Sequence, residues 1–304
     1  MPLWIIASVF AAFMQNLRFL LQRHLKITTL STGGATWARF AFATPFVALA
    51  LGSWIAITGQ SLPGTTPAFW GYVVTGAMAQ MLATASVVAL FAHRNFAVGM
   101  TLIKTEVILT AFIGLIVLQE AVSTPVLAAI AVGFVGVVLL SDPPRTDTAL
   151  PWTARVFNVA SGYGLASGFL FGVSAVCYRG ATLSLEGGDE ILRAATALFA
   201  ATSTQTLILG AWLYRRERGQ ISLVFAAWRV SAATGVTSML GSLGWFTAFA
   251  LQTAAYVKAV GQVELVFTFL FSVFWLREKS SPKELAGIAL ILASLGIIIV
   301  GSLS

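Results

Sequence analysis

Long apolar runs, separated by brief polar breaks, dominate the chain. They cover about residues 3–22, 34–57, 67–91, 96–118, 121–140, 157–178, 190–213, 224–250, 254–276 and 284–302. Each is close to or beyond the ~20 residues that carry an α-helix across a bilayer. The runs are continuous rather than alternating in short segments, so the pattern predicts ten transmembrane helices and not a β-barrel. The one substantial hydrophilic connection, SDPPRTDTALPWTAR from Ser141 to Arg155, falls at the middle of the chain. It divides the protein into a five-helix unit over 1–140, a linker over 141–156 and a second five-helix unit over 157–304.

The two units align on each other. A shift of 158 residues, without a gap from Leu49 onward, pairs Trp54 with Trp212, Trp70 with Trp228, Glu106 with Glu264, Thr110 with Thr268 and Glu120 with Glu278. Apolar residues match by chance in such a chain, but two Trp pairs and two Glu pairs in one register indicate an internal duplication. Upstream, after a small gap, GGATWAR from Gly33 aligns with GGDEILR from Gly187 and pairs Arg39 with Arg193.

Five is odd, so the second unit must cross the membrane in the opposite sense, which predicts two inverted repeats. The charges between the spans agree. Basic residues follow helices 1 (Arg23, Lys26), 3 (Arg94), 7 (Arg215, Arg216, Arg218, with Arg229 just beyond) and 9 (Arg277, Lys279, Lys283), and the linker adds Arg145 and Arg155. Of the eighteen Lys and Arg, twelve fall on that side and only Arg179 on the other. The positive-inside rule makes the rich side cytoplasmic and places both termini outside.

Composition strengthens the membrane reading and narrows the chemistry. The chain has 304 residues, 58% hydrophobic and 10% charged, with a mean hydropathy of +0.89; a soluble protein is about a quarter charged. The net charge of +7 lies in loops as a topology signal, not as a nucleic-acid surface. A single Cys177 excludes a disulfide within the chain, and His24 and His93 make no metal-ligating cluster. No phosphate-binding GxxxxGK loop occurs, which argues against primary active transport by this chain, and no cofactor is expected. The first run begins at Leu3 without a basic region before it or a cleavage site after it, and reads as a retained helix.

The candidate chemistry lies inside the spans. Glu106, in IKTEV, and Glu264, in GQVEL, are each about eleven residues into an apolar run. A charge near mid-bilayer costs about 2.5–3.5 kcal/mol on insertion scales, so its default reading is a functional group facing the protein interior. Lys104 sits two residues from Glu106, on nearly the opposite helix face, and cannot readily pair with it. Thr110 and Thr268 share a face with their glutamates, which allows a hydroxyl–carboxyl bond one turn away. Gln15 and Arg18 share a face of helix 1, and Lys258 and Gln262 a face of helix 9, where Gly261 permits close approach. Arg18 reads equally as a residue snorkelling to the interface. Gln80, Ser238, Ser242 and Trp245 are weaker candidates, and Glu120 and Glu278 read as capping or orienting the helices that follow them.

VILTAFIGLIVLQEAVSTPVLAAIAVGFVGVVLL and LVFTFLFSVFWLREKSSPKELAGIALILASLGIIIV each run from an apolar helix through Leu-x-Glu and a Ser-containing turn into a Gly/Ala-rich helix. With ten helices duplicated five and five, the chain resembles the EamA family of the drug/metabolite transporter superfamily. The resemblance implies an inverted-repeat carrier with a cavity between its halves, exporting or exchanging small metabolites such as amino acids. Two departures stand out. Many relatives have a proline near the start of helices 4 and 9, where this chain has Val107 and Leu265, and relatives are often drawn with both termini in the cytoplasm.

The expected protein is therefore an integral protein of a bacterial inner membrane, active as a monomer or homodimer. It is a secondary transporter, with an uncoupled facilitator or channel as the alternative. No Asp occurs in the spans and no nucleophile–base set is apparent, so an enzyme is not expected. Glu106 is expected to carry a proton and Glu264 to orient substrate, helped by Gln262, Lys258 and Gly261; Arg18, Gln15 and Lys104 complete the candidate site. The topology has a direct check. Ser61→Cys and Ser304→Cys should react with an impermeant thiol reagent from outside, and Gln220→Cys only after permeabilisation; the opposite labelling would overturn the orientation.

Overall fold

The computed structural model describes residues 2–91, 101–140, 159–274 and 282–301. The linker, Arg94, His93, Arg145, Arg155, Arg277, Lys279, Glu278 and Ser304 lie outside the described residues. The architecture is all-helical: α1 (Leu3–Thr28), α2 (Thr32–Thr58), α3 (Pro67–Leu90), α4 (Glu106–Leu118), α5 (Thr124–Leu140), α6 (Val159–Leu183), α7 (Glu190–Arg216), α8 (Gln220–Ala226), α9 (Trp228–Leu251), α10 (Ala254–Gly261), α11 (Val263–Phe274) and α12 (Pro282–Gly301). Every apolar run contains one of these helices. Seven are long and apolar enough to cross a membrane, counting Thr101–Leu118 as one, and an eighth follows if α8 and α9 form one span.

Local sequence sets the helix ends. The Ser31 hydroxyl accepts the Gly34 N–H at 2.9 Å and opens α2, Thr66 does the same for Phe69 at 3.1 Å with Pro67 at the first helical position, and Asp189 caps α7 through the Leu192 N–H at 2.7 Å. Gly59, at φ 67°, ends α2, and Gln119, at φ 56°, ends α4. The run read as 224–250 is not one helix. It turns by 88° between α8 and α9, so the short α8 stands nearly at a right angle to α9.

Contacts between turns define two ends. At one, Ser31 donates its hydroxyl to Glu217 and its backbone N–H to the side-chain oxygen Oε1 of Gln220, the latter at 2.8 Å. This end gathers Arg23, Lys26, Arg215, Arg216, Arg218 and Arg229. At the other, Gly64 and Glu186 exchange backbone hydrogen bonds of 2.9 and 3.0 Å, Gln60 donates to Asp189 at 2.6 Å and Ser123 meets Tyr256 at 3.2 Å. Arg179 closes that end by donating to Glu120 at 2.9 Å and to the Phe249 and Ala250 carbonyls at 2.7 and 3.0 Å. Glu120 therefore serves as an ion-pair partner and not as a cap for α5.

The largest interfaces join α1 with α9, α2 with α7, α3 with α6 and α5 with α12, so each half packs chiefly against the other. The interior holds small apolar side chains together with buried Ser and Thr, while Ile116 (71% exposed) and Leu207 (72%) face outward. That inside-out distribution suits a lipid-facing surface. Close packing of α2 on α9 depends on Gly235, whose added Cβ would stand 2.5 Å from Phe42 Cβ and 2.6 Å from its backbone carbon. Backbone cannot yield as a side chain does, so Gly235→Ala should cost about 1–3 kcal/mol. Gly52→Ala, with nothing within 4 Å, should be neutral or slightly stabilising. Thermal unfolding in detergent measures both; equal melting temperatures would refute the packing argument.

Candidate functional site

Both glutamates follow a break in their helix. The Lys104 N–H donates to the Thr101 carbonyl at 3.0 Å and the Val107 N–H to the Lys104 carbonyl at 3.4 Å. The Gln262 N–H donates to the Ala259 carbonyl at 3.2 Å and the Leu265 N–H to the Gln262 carbonyl at 3.0 Å. Each bond spans three residues instead of four, and the second pair of bonds repeats the first 158 residues later. The helices restart as α4 and α11 with Glu106 and Glu264 in their first turns, where the positive end of the helix dipole favours a carboxylate. Thr105 accommodates the first break by donating its hydroxyl to the Leu102 carbonyl at 2.7 Å.

Across the interface the charges cross over. Glu264 pairs with Lys104, and Glu106 pairs with Lys258 at 3.4 Å. All four side chains are buried. Each pair thus joins a lysine of one half to a glutamate of the other. Gln15 of α1 donates to Glu264 Oε2 at 2.8 Å, and Asn16 donates to the Glu264 carbonyl at 2.8 Å. The Trp245 indole N–H donates to Gln15 Oε1 at 3.2 Å, and the Lys258 ammonium lies 4.9 Å from the centre of the Trp245 ring. Gly261 makes room for that indole, since a Cβ there would meet Trp245 Cη2 at 2.5 Å.

Other expected members stand elsewhere. The Thr110 hydroxyl donates to the Glu106 backbone carbonyl at 2.6 Å, so its proton is committed to the helix and not to the carboxylate. The side chain of Thr268 lies outside the described residues. The break after Gly261 separates Gln262 from Lys258: Gln262 Oε1 would stand 2.8 Å from a Cβ on Gly133 of α5, and its Nε2 has no hydrogen-bond partner among the described residues. Arg18 does not snorkel. It is buried, donates to Gln22 Oε1 at 2.6 Å and stacks over Phe19 at 4.2 Å.

Beside the ion pairs is a small cavity with about 20 Å³ for a water molecule's centre, room for roughly one water. Its polar wall includes Gln15, Lys258, Arg39 and Gln80. Tyr178 donates to Gln80 Oε1 at 3.0 Å, and Gln205 donates to the same oxygen at 2.8 Å. Arg39, Tyr178 and Gln205 were not among the sequence candidates. The in-span charge was the available signal for Arg39; nothing in the sequence set Tyr178 or Gln205 apart.

A family profile described as the EamA-like transporter family matches residues 159–300. The match spans the second half of the chain, which is similar to an EamA-like transporter unit. Members of that family carry small solutes across membranes, and the apolar helices here are those of an integral membrane protein. A solved crystal structure matches over 96% of this chain and 98% of its own, at 15% identity and a TM-score of 0.65; that likeness shows the fold alone. No curated protein matches significantly. The EamA-like half supplies Lys258, Glu264, Tyr178 and Trp245, and the first half supplies Gln15, Arg39, Lys104 and Glu106.

The Lys258–Glu106 pair invites a double-mutant cycle. Lys258→Met or Glu106→Gln alone leaves its partner's charge buried without a counter-ion, which should cost about 3–5 kcal/mol. The combined variant should lose clearly less than the sum. Additive losses in denaturant unfolding would show that the two charges do not support each other.

Proposed function

We propose that the chain is a secondary transporter of ten spans, built as two five-helix repeats of opposite orientation over 1–140 and 157–304, and that its substrate passes between the halves. One observation carries this reading: two helices broken at equivalent positions, each restarting on a buried glutamate paired with a lysine of the other half. Discontinuous helices meeting at a repeat interface are the device by which inverted-repeat carriers expose polar groups inside a membrane. The helix packing supports the repeat as well. Exchanging each span with its counterpart turns the α1–α9 interface into α6–α3 and returns α2–α7 and α5–α12 to themselves. The basic bundle end is the cytoplasmic one on this reading.

The ion pairs serve as the moving part. A polar substrate group reaching Lys258 competes with Glu106 for it. A carboxylate losing its counter-ion in a dry interior takes up a proton, because the charged form loses most on desolvation. That exchange couples substrate to protons. Glu264 is held from three sides, by Lys104, Gln15 and the start of α11, and acts as the fixed half of the pair. The substrate is a small organic metabolite, an amino acid or related compound, moved by export or exchange across a bacterial inner membrane.

Proteoliposomes test the mechanism through counterflow and accumulation, with and without a pH gradient, over a panel of amino acids and organic acids. Glu106→Gln should abolish proton-driven accumulation and spare exchange, while Glu264→Gln should impair both. Wild-type behaviour of both variants across pH would reduce the carboxylates to a structural role. Flux that neither saturates nor shows counterflow would favour a channel.

A further inference from the structure

The buried charges do not balance. Among the described residues, the buried side chains include four cations (Arg18, Arg39, Lys104, Lys258) and two carboxylates (Glu106, Glu264). The lysines are matched by the glutamates, so the excess belongs to two guanidiniums with no carboxylate at ion-pair distance. Arg18 is closed off by Gln22, which passes the contact to the Ala35 carbonyl at 3.2 Å. Arg39 is different. It lies on α2, 96% buried (4% exposed), and lines the small cavity.

Two neutral hydroxyls and the face of the neighbouring Phe40 ring, 4.9 Å from Cζ, fix its orientation, and none of them carries a negative charge. Arg39 donates from Nε to Ser238 Oγ at 2.9 Å and from Nη1 to Thr84 Oγ1 at 2.8 Å. The guanidinium carries five N–H donors in a rigid fork, and its Nη2 has no partner among the described residues. An uncompensated buried cation is among the costliest features a protein interior can carry. One held in place by ligands that leave its charge unmatched, with donors turned to a cavity, is arranged for an anion that arrives from outside. The opposite walls are aromatic: Phe171, Tyr178, Trp245 and Phe246 surround the same space.

Resting on the carrier reading above, we infer that Arg39 is the binding residue for the acid group of the substrate, and that the substrate is a small monocarboxylate with an apolar, preferably aromatic, body. The single guanidinium at the cavity matches one negative charge, and its planar fork matches a carboxylate. The aromatic wall takes the rest of the molecule. Ser238 and Thr84 are positioning residues that hold the fork. Lys258 stands on the same cavity, so an acid bound at Arg39 weakens the hold of Lys258 on Glu106, which supplies the competition that the coupling requires.

Three probes share one body and differ in their head group: 3-phenylpropionate, 3-phenylpropionamide and 3-phenylpropylamine. Calorimetric titration of the purified full-length protein in nanodiscs at neutral pH should show the carboxylate binding at least about tenfold more tightly than the amide or the amine, the size expected for a charge-assisted pair. Arg39→Gln should remove about tenfold of the carboxylate affinity or more, and Arg39→Lys should fall between, since it keeps the charge and loses the fork. Equal binding of the three probes, no binding of 3-phenylpropionate, or a folded Arg39→Gln with unchanged affinity would each overturn the assignment. If the Arg39 variants fail to fold, the head-group series on the wild type decides alone. Counterflow of labelled 3-phenylpropionate separates the two readings: head-group-selective binding without flux keeps the site and sinks the carrier, and flux without head-group preference keeps the carrier and sinks the site.

Discussion

A charge inside this helical bundle has no bulk water to fall back on, and the arrangement of the interior follows from that constraint. Two carboxylates and two lysines are buried where α4 meets α10 and where α10 and α11 meet α1, and they are tolerable there only as pairs. The pairs are crossed, Lys104 to Glu264 and Lys258 to Glu106. Neither half can therefore neutralise its own charges. Parting the halves exposes two charges on each face, so the interface is held by something stronger than packing yet able to open wherever water or a competing ion enters. A purely apolar interface of the same area would lack that responsiveness.

The breaks beside the glutamates are produced without proline. A three-residue hydrogen bond on each side of Lys104, repeated on each side of Gln262, tightens the helix and ends one segment before the next begins. In the EamA relatives that the sequence resembles, a proline near this position would remove the donor outright. Here the turn is reached with ordinary residues, and each carboxylate takes the place at the restarted helix end that the dipole favours. On the repeat reading, duplication accounts for the same bond pattern appearing twice, and the different neighbours, Lys104 in one half and Gln262 in the other, make the two sites unequal.

Much of this was legible in the sequence because membrane insertion imposes few and strong rules. Apolar length gave the helices, loop charge gave the basic end, and mid-span depth singled out Glu106 and Glu264. Their partners were not legible. Which lysine reaches which glutamate depends on how helices face each other across the interface, and the i, i+4 relation of Lys258 to Gln262 assumed a continuous helix that the break interrupts. The bend ahead of Trp228 was hidden for a similar reason: α8 is apolar enough to read as a straight continuation of α9, and only its packing against α2 and α7 turns it aside. Arg18 and Arg39 sit near run edges, where a cation normally reaches for the interface. Hydrogen bonds to Gln22, Ser238 and Thr84 hold them inside instead, and those partners are scattered over three helices.

The cavity's size decides what the described conformation is for. With space for about one water, it admits no organic metabolite, and the indole of Trp245 and the rings of Phe171 and Phe246 fill the volume a ligand would need. On the carrier reading this is the closed state, in which aromatic side chains stand in for the body of a substrate while the guanidinium of Arg39, over the Phe40 ring, has no carboxylate to balance its charge. That asymmetry gives the empty protein a reason to open: the apolar part of the site is satisfied, the electrostatic part is not. Binding then supplies what the closed protein lacks, and the differential interaction falls on one charged group at the junction of α2, α3 and α9, which is the kind of state-dependent contact a ligand needs in order to shift a conformational equilibrium.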